Sequence, residues 1–172
     1  MYYPIHLQID DMDIAIIGGG QVAWRRCQFF LEAGKRVRVV AKAFLPQFQE
    51  VSGQLELIES SFHPSHLLGC GLVIAATDDS RLNDEIAALC RAQKKLVNVA
   101  SRGEGSDFIT PAVVKRGDVI LTVSTSGKSP ALSAKIKGDL ERRYGEEIAV
   151  LAREEGLLRK QGQGCKNKWP KA

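Results

Sequence analysis

Apolar positions change their period along the chain, and each change marks an element. Ile14-Ala15-Ile16-Ile17 is a continuous apolar run, as a strand covered on both faces requires. Gly18-Gly19-Gly20 follows, and then Ala23, Cys27, Phe30 and Leu31 recur at i, i+4, i+7 and i+8, the period of an amphipathic helix. Gly34-Lys35 ends that helix, and residues 36–41 (Arg-Val-Arg-Val-Val-Ala) alternate before turning fully apolar, as a second parallel strand does. Strand, turn, helix and strand make a βαβ unit. Beyond it the pattern predicts a short helix over 44–51, an outer strand over 55–59 and a buried strand over 72–76. A helix then runs to about Gln93 with Leu82, Ile86, Ala87, Leu89 and Cys90 on its apolar side, before a fifth strand over 95–99. Residues 1–13 read as a short strand or a leading loop.

After Ala100 the pattern changes. Residues 101–107 form a polar, glycine-bearing loop. Two apolar runs, 112–114 and 119–123, are separated by Lys115-Arg116-Gly117-Asp118, whose turn residues predict a β-hairpin. Ser129 as N-cap and Pro130 at the first helical position start a helix that continues to Tyr144 and ends at Gly145. Residues 146–158 can make one more helix, and 160–172 are polar and glycine-bearing, a loose end. The fold class is therefore α/β: a Rossmann-like parallel sheet with helices on both faces over residues 1–111, a small hairpin-plus-helix region over 112–145, and a short helical, partly disordered tail over 146–172.

Composition narrows the possibilities. With 172 residues, 44% hydrophobic and 26% charged, the chain fits one ordinary domain plus an appendage. No apolar run approaches the roughly 20 residues that span a bilayer, so no membrane association is expected. Residues 1–13 lack the basic start and apolar centre of a signal peptide, which makes the cytoplasm the expected compartment. A formal charge of +4 is modest, and the basic residues stand singly or in pairs among acids, so a nucleic-acid partner is not expected. Cys27, Cys70, Cys90 and Cys165 form no C-x-x-C and read as structural thiols. His63 and His66 stand three apart, but no nearby cysteine or third histidine completes a metal site, and none is predicted.

Candidate chemistry begins at the glycines. Gly18, Gly20 and Ala23 occupy the G-x-G-x-x-A positions: a tight turn, a place where backbone can approach a pyrophosphate, and a small residue for helix-on-strand packing. The phosphate would sit at the helix N-terminus, where free N–H groups and the helix dipole favour an anion. Thr77 and Asp78 follow the fourth strand, and ligands collect at the C-terminal ends of parallel strands. Asp79 or Ser80 capping the next helix competes with that reading. An NAD-type site usually has an acid at the end of the second strand for the ribose hydroxyls. Here that strand ends Ala41-Lys42-Ala43, and Lys42 is either a contact for a 2′-phosphate or a solvated loop lysine. The segment 124–129 (Ser-Thr-Ser-Gly-Lys-Ser) looks like a phosphate loop, but G-x-x-x-x-G-K-[ST] needs glycine where Thr122 stands. A nucleotide triphosphatase is excluded on that ground.

Five ordered motifs together resemble one family. They are Gly-Gly-Gly-Gln-Val-Ala-Trp-Arg-Arg at 18–26, Ala-Ala-Thr-Asp-Asp at 75–79, Asn-Val at 98–99, Asp-Phe-Ile-Thr-Pro-Ala at 107–112 and Ser-Thr-Ser-Gly-Lys-Ser-Pro-Ala-Leu at 124–132. Across about residues 1–145 the chain is similar to the precorrin-2 dehydrogenase and sirohydrochlorin ferrochelatase family, the siroheme synthase N-terminal module. The resemblance implies a homodimer with a Rossmann domain, a dimerisation region and a helical C-terminal region. It also implies NAD as cofactor and precorrin-2, or a related tetrapyrrole, as substrate; some members add ferrous iron insertion. By position it places cofactor contacts at Gln21 and Val22, at Lys42 and Ala43, and around Thr77, in a family that uses NAD without the acidic ribose ligand. Arg102, Lys115, Arg116, Thr125 and Lys128 become candidates for the substrate's carboxylates, through charge-assisted bonds.

Two departures shape the expectation. Ser101 stands where the family usually bears an aspartate proposed to act in both dehydrogenation and chelation, leaving Asp107 as the nearest carboxylate. The segment after Gly145 is shorter than the family's helical region. Dehydrogenase activity with little or no ferrochelatase activity is the resulting expectation. The alternative is a non-catalytic sensor or carrier that binds NAD or a tetrapyrrole.

Overall fold

The computed structural model describes residues 2–100 and 105–162. Two compact units divide the chain, one up to Ile109 and one from Thr110.

The first unit runs β1 (Asp13–Ile17), α1 (Gln21–Glu32), β2 (Val37–Ala41), α2 (Pro46–Glu50), β3 (Leu55–Glu59), β4 (Cys70–Ala75), α3 (Ser80–Ala92) and β5 (Leu96–Val99). Its five strands are parallel, in the order β3-β2-β1-β4-β5. Alternation along β1 explains the two faces. Ile14 and Ile16 pack with Ala23, Cys27 and Phe30 of α1 and with Phe48 of α2. Ala15 and Ile17 pack with Ile86, Ala87 and Cys90 of α3. Helices therefore cover both faces, and β1 and β4 read as near-continuous apolar runs because neither face is wet, while β2 is interrupted by Arg38.

Boundaries differ from the sequence pattern in places that have local causes. Residues 2–12 contain no strand, and regular structure begins at Asp13. The helix expected over 44–51 is confined to Pro46–Glu50, because the ring of Pro46 forces Leu45 into an extended conformation (φ −62°, ψ 148°). Gly34, at φ +72°, closes α1, its N–H donating to the Leu31 carbonyl at 2.8 Å. His63 and His66 have a structural task in the β3–β4 connection. The N–H of His63 donates to Nδ1 of His66 at 3.0 Å and the N–H of Ser65 donates to Nδ1 of His63 at 3.3 Å, a reciprocal cap on the 3-10 turn Pro64–Leu67. Among the described residues, no group of three or more His, Cys, Asp or Glu side chains could hold a metal ion.

The second unit consists of β6 (Ala112–Arg116), β7 (Val119–Val123), α4 (Pro130–Arg143) and α5 (Glu147–Lys160). β6 and β7 pair antiparallel across Gly117-Asp118, with Gly117 at φ +55° as a two-residue hairpin loop demands. Ser129 Oγ accepts from the Leu132 N–H at 3.2 Å and Pro130 opens α4. Apolar burial here is sparse: among the described residues Val114 and Ile148 are its buried hydrophobic residues, while Ile120, Leu132, Ile136, Val150 and Leu157 are exposed. No helix among the described residues is long and apolar enough to cross a membrane.

Candidate functional site

In the order β3-β2-β1-β4-β5 the chain leaves β1 toward β2 on one side and returns to β4 on the other, so a crevice opens beyond the carboxyl ends of β1 and β4. The backbone ladder continues past the strands there. Gly18 N–H donates to the Val40 carbonyl and Ala76 N–H to the Ile17 carbonyl, both at 2.8 Å.

Each glycine of the β1–α1 turn answers a different demand. Gly18 is buried at φ +134°, and a Cβ there would overlap the Ala76 carbonyl. A Cβ on Gly19 would overlap the Ala43 carbonyl, while the Gly19 carbonyl accepts from Leu45 N–H at 3.0 Å. Gly20 differs from both. Its backbone is ordinary extended (φ −91°, ψ −174°), and among the described residues nothing lies within 4 Å of where its Cβ would be. It is the N-cap of a twelve-residue helix to which it brings no capping side chain. Open space beside the first-turn N–H groups is the setting in which a helix N-terminus can receive an anion such as a pyrophosphate. Ala23, fully buried, lets α1 sit close to the sheet.

Around this turn the structure gathers most of the residues singled out for the cofactor. Gln21 and Val22 are exposed on the first turn of α1, and Lys42 and Ala43 are exposed where β2 ends, beside Gly19. Thr77 lies next to Gly18, its amide nitrogen 3.2 Å from where a Gly18 Cβ would stand. Asp78 is exposed. The capping role belongs to Asp79, whose Oδ1 accepts from the N–H groups of Arg81 at 2.9 Å and Leu82 at 3.2 Å.

Asn83 was not evident as a site residue from the pattern. It is 1% exposed and clasps Thr77: Oδ1 accepts from Thr77 N–H at 3.1 Å and lies 2.8 Å from Thr77 Oγ1, while Nδ2 donates to the Thr77 carbonyl at 3.0 Å. Its signal in the sequence is position. Asn83, Ile86, Ala87 and Cys90 follow i, i+3, i+4 and i+7, which puts a polar side chain on the buried stripe of α3.

At the β5 edge, Asp107 is occupied structurally. Its Oδ2 accepts from Val97 N–H at 2.9 Å and its own N–H donates to the Val97 carbonyl at 2.8 Å, satisfying an edge strand that pairs with no further strand among the described residues. Asn98 Nδ2 donates to the Phe108 carbonyl at 2.8 Å, and its buried Oδ1 finds no partner among the described residues. Ser101 and Arg102 lie outside the described residues. Burial raises the thiols of Cys27 and Cys90 to about 11, which keeps both protonated and unreactive at neutral pH.

In the second unit, Lys115 and Lys128 are exposed cations. Arg116 is partly committed: its guanidinium lies 3.3 Å from Glu146 and donates to the Lys115 carbonyl at 3.0 Å. Thr125 shapes the turn before α4, its Oγ1 accepting from Ser129 N–H at 3.0 Å.

The chain is similar to known proteins. A family model described as "Putative NAD(P)-binding" matches residues 5–112, and one described as sirohaem biosynthesis protein central matches residues 116–143. Among curated relatives, siroheme synthase of Citrobacter koseri is 36% identical over 160 residues, covering 92% of this chain and 35% of its own. Siroheme synthase of Escherichia coli is 37% identical over the same length with the same coverage. The chain thus spans about a third of the length of these relatives. Among solved structures, SirC, a precorrin-2 dehydrogenase, superposes with a TM-score of 0.81 at 27% identity, covering 97% of this chain and 84% of that one. The glycine turn, the two family segments in order and these likenesses converge: the chain belongs to the NAD(P)-binding family, in the precorrin-2 dehydrogenase and siroheme synthase group whose motifs it carries.

Proposed function

We propose that the chain is an NAD-dependent dehydrogenase that oxidises precorrin-2 to sirohydrochlorin in siroheme biosynthesis, with weak or no ferrochelatase activity, and that it works as a homodimer. The observation that carries this reading is the open space at Gly20, on the uncapped N-terminus of α1, beside the strand ends that bear Lys42, Ala43 and Thr77. The likeness to SirC, a precorrin-2 dehydrogenase that this chain covers over 84% of its length, supports the choice of reaction.

Gly18 and Gly20 shape the turn, and the N–H groups of Gln21, Val22 and Ala23 hold the pyrophosphate. Lys42, Ala43, Thr77 and Asp78 complete the contacts at the neighbouring strand ends. A bound nicotinamide supplies the hydride acceptor, so the protein's share is position and charge. Lys115 and Lys128, both exposed, are the stronger candidates for substrate carboxylates, with Arg102; Arg116 and Thr125 already have partners in the fold. A serine hydroxyl takes no proton at neutral pH without an activating base. With Ser101 in the usual aspartate position, chelation suffers most, because iron insertion must strip two pyrrole protons without help from a cofactor.

Homodimerisation is proposed through residues 112–145. A two-stranded hairpin is marginal alone, α4 buries no residue, and Leu132, Ile136 and Ile120 stay exposed. Ser101 is also what favours the alternative, a non-catalytic sensor or carrier. Anaerobic incubation with precorrin-2 and either NAD or NADP, followed by ferrous iron, separates the readings. Reduced NAD without siroheme supports the dehydrogenase; tight binding without reduction supports the carrier.

A further inference from the structure

The hydroxyl of Thr77 has one proton and two places to put it. Its Oγ1 lies 2.8 Å from Asn83 Oδ1 and 3.0 Å from the Asp79 carbonyl. Both neighbours are acceptors. The orientation of the Asn83 amide is fixed by chemistry: Thr77 N–H needs an acceptor and receives Oδ1, and the Thr77 carbonyl needs a donor and receives Nδ2. Flipping the amide would break both bonds in a side chain that is 1% exposed. The Asp79 carbonyl also accepts from the Asn83 N–H at 3.1 Å, the first i→i−4 bond of α3, while the two bonds between the Asn83 amide and the Thr77 N–H and carbonyl are what hold α3 to the end of β4. Whichever acceptor takes the hydroxyl proton, that proton is spent inside the protein.

We infer that Asn83 is a positioning residue of the cofactor site, which holds Thr77 beside the glycine turn and leaves the threonine hydroxyl able to accept a hydrogen bond but not to donate one. This rests on the β1–α1 turn being the dinucleotide site. Thr77 Oγ1 then selects an O–H or N–H group of the ligand, such as a ribose hydroxyl or the nicotinamide carboxamide, and rejects a phosphate oxygen. Such a contact supplies at the end of β4 part of the hydroxyl recognition that the missing acid at the end of β2 would otherwise give.

Calorimetry with NAD, and separately with ADP-ribose, tests the inference on the full chain. Thr77→Val keeps the shape and both backbone bonds to Asn83 but removes the accepting oxygen. It should weaken NAD binding roughly five- to tenfold with little change in melting temperature. Thr77→Ser, which restores the oxygen, should bind within about twofold of wild type, well under the loss expected for one missing hydrogen bond. If the penalty of Thr77→Val persists with ADP-ribose, the donor is a ribose hydroxyl; if it vanishes there, the donor is the carboxamide. Amide hydrogen exchange gives a readout independent of binding: Asn83→Leu should unprotect Thr77 N–H and weaken NAD well below the melting temperature. Unchanged NAD affinity in Thr77→Val, while Gly20→Asp abolishes binding, would overturn the role of Thr77 and Asn83 and leave the site in place. Affinity unchanged in Gly20→Asp as well, or absent from wild type, would remove the site itself and this inference with it.

Discussion

Gly18 and Gly20 belong to one motif, yet alanine at each should have opposite consequences. At Gly20 the backbone (φ −91°, ψ −174°) suits any residue and a methyl would meet nothing within 4 Å among the described residues, so no steric cost falls on the fold. Two smaller effects oppose each other: reduced freedom of the unfolded chain stabilises by about 0.4–1 kcal/mol, and alanine is a poorer N-cap than glycine by a comparable amount. Net stability should stay within about 1 kcal/mol of wild type, or about 2–4 °C in melting temperature for a chain this size. The methyl instead occupies the space a pyrophosphate needs, and NAD affinity should fall at least about tenfold, the equivalent of about 1.4 kcal/mol. At Gly18 the backbone sits at φ +134° and the methyl runs into the Ala76 carbonyl, which is main chain and cannot rotate away. Backbone strain of about 1–3 kcal/mol plus that overlap should cost about 3 kcal/mol or more, lowering the melting temperature by roughly 6–12 °C. Thermal melts and calorimetry on the two variants make the comparison. A Gly20→Ala protein that binds NAD like wild type, or one that melts as early as Gly18→Ala, would refute the division of labour between the two glycines.

Titration and assembly give further expectations. His66 Nδ1 must be unprotonated to accept from His63, and burial, His63 and Arg38 all lower its pKa below the ordinary 6.5. A depressed histidine contributes stability that is complete above pH 6.5 and lost as pH falls through the folded value. Urea midpoints should therefore drop on acidification, less so in His66→Gln, whose amide can still cap; an equal drop in both would exclude His66. Cys27 and Cys90, raised from 9.0 to about 11, favour the native state below pH 9 and cease to do so as pH rises toward 11. Stability should decline across that window, and rapid native labelling of either thiol by iodoacetamide at pH 8 would contradict their burial. Ile136→Lys on the exposed face of α4 should convert a dimer to a monomer in light scattering; wild type that is already monomeric at micromolar concentration would count against the dimer.

Much of the first unit was legible because its signals are local and periodic. The run Ile14–Ile17, the glycines and the spacing of Ala23, Cys27 and Phe30 each state an environment: two covered faces, a tight turn, one buried stripe. What escaped were side chains whose partners lie far along the chain. Arg38 looks like the polar position of an alternating strand, yet its guanidinium donates to the carbonyls of His66 and Leu68 at 3.0 Å and to Glu56 at 3.1 Å, tying β2 to β3 and to the connection that follows. Asp107 looked like a spare carboxylate because nothing in sequence announces that β5 is an edge whose N–H at Val97 needs an acceptor. His63 and His66 share a spacing with metal ligands, and only geometry shows Nδ1 of each ring accepting a backbone N–H.

The most direct test of the proposed activity is simultaneous measurement of NADH and sirohydrochlorin when the wild-type chain meets precorrin-2 and NAD under anaerobic conditions. Both should rise together, in equal amounts, and neither should appear with Gly20→Asp. Sirohydrochlorin that forms without NADH, or NAD that binds but stays oxidised in the presence of precorrin-2, would contradict an NAD-dependent dehydrogenase.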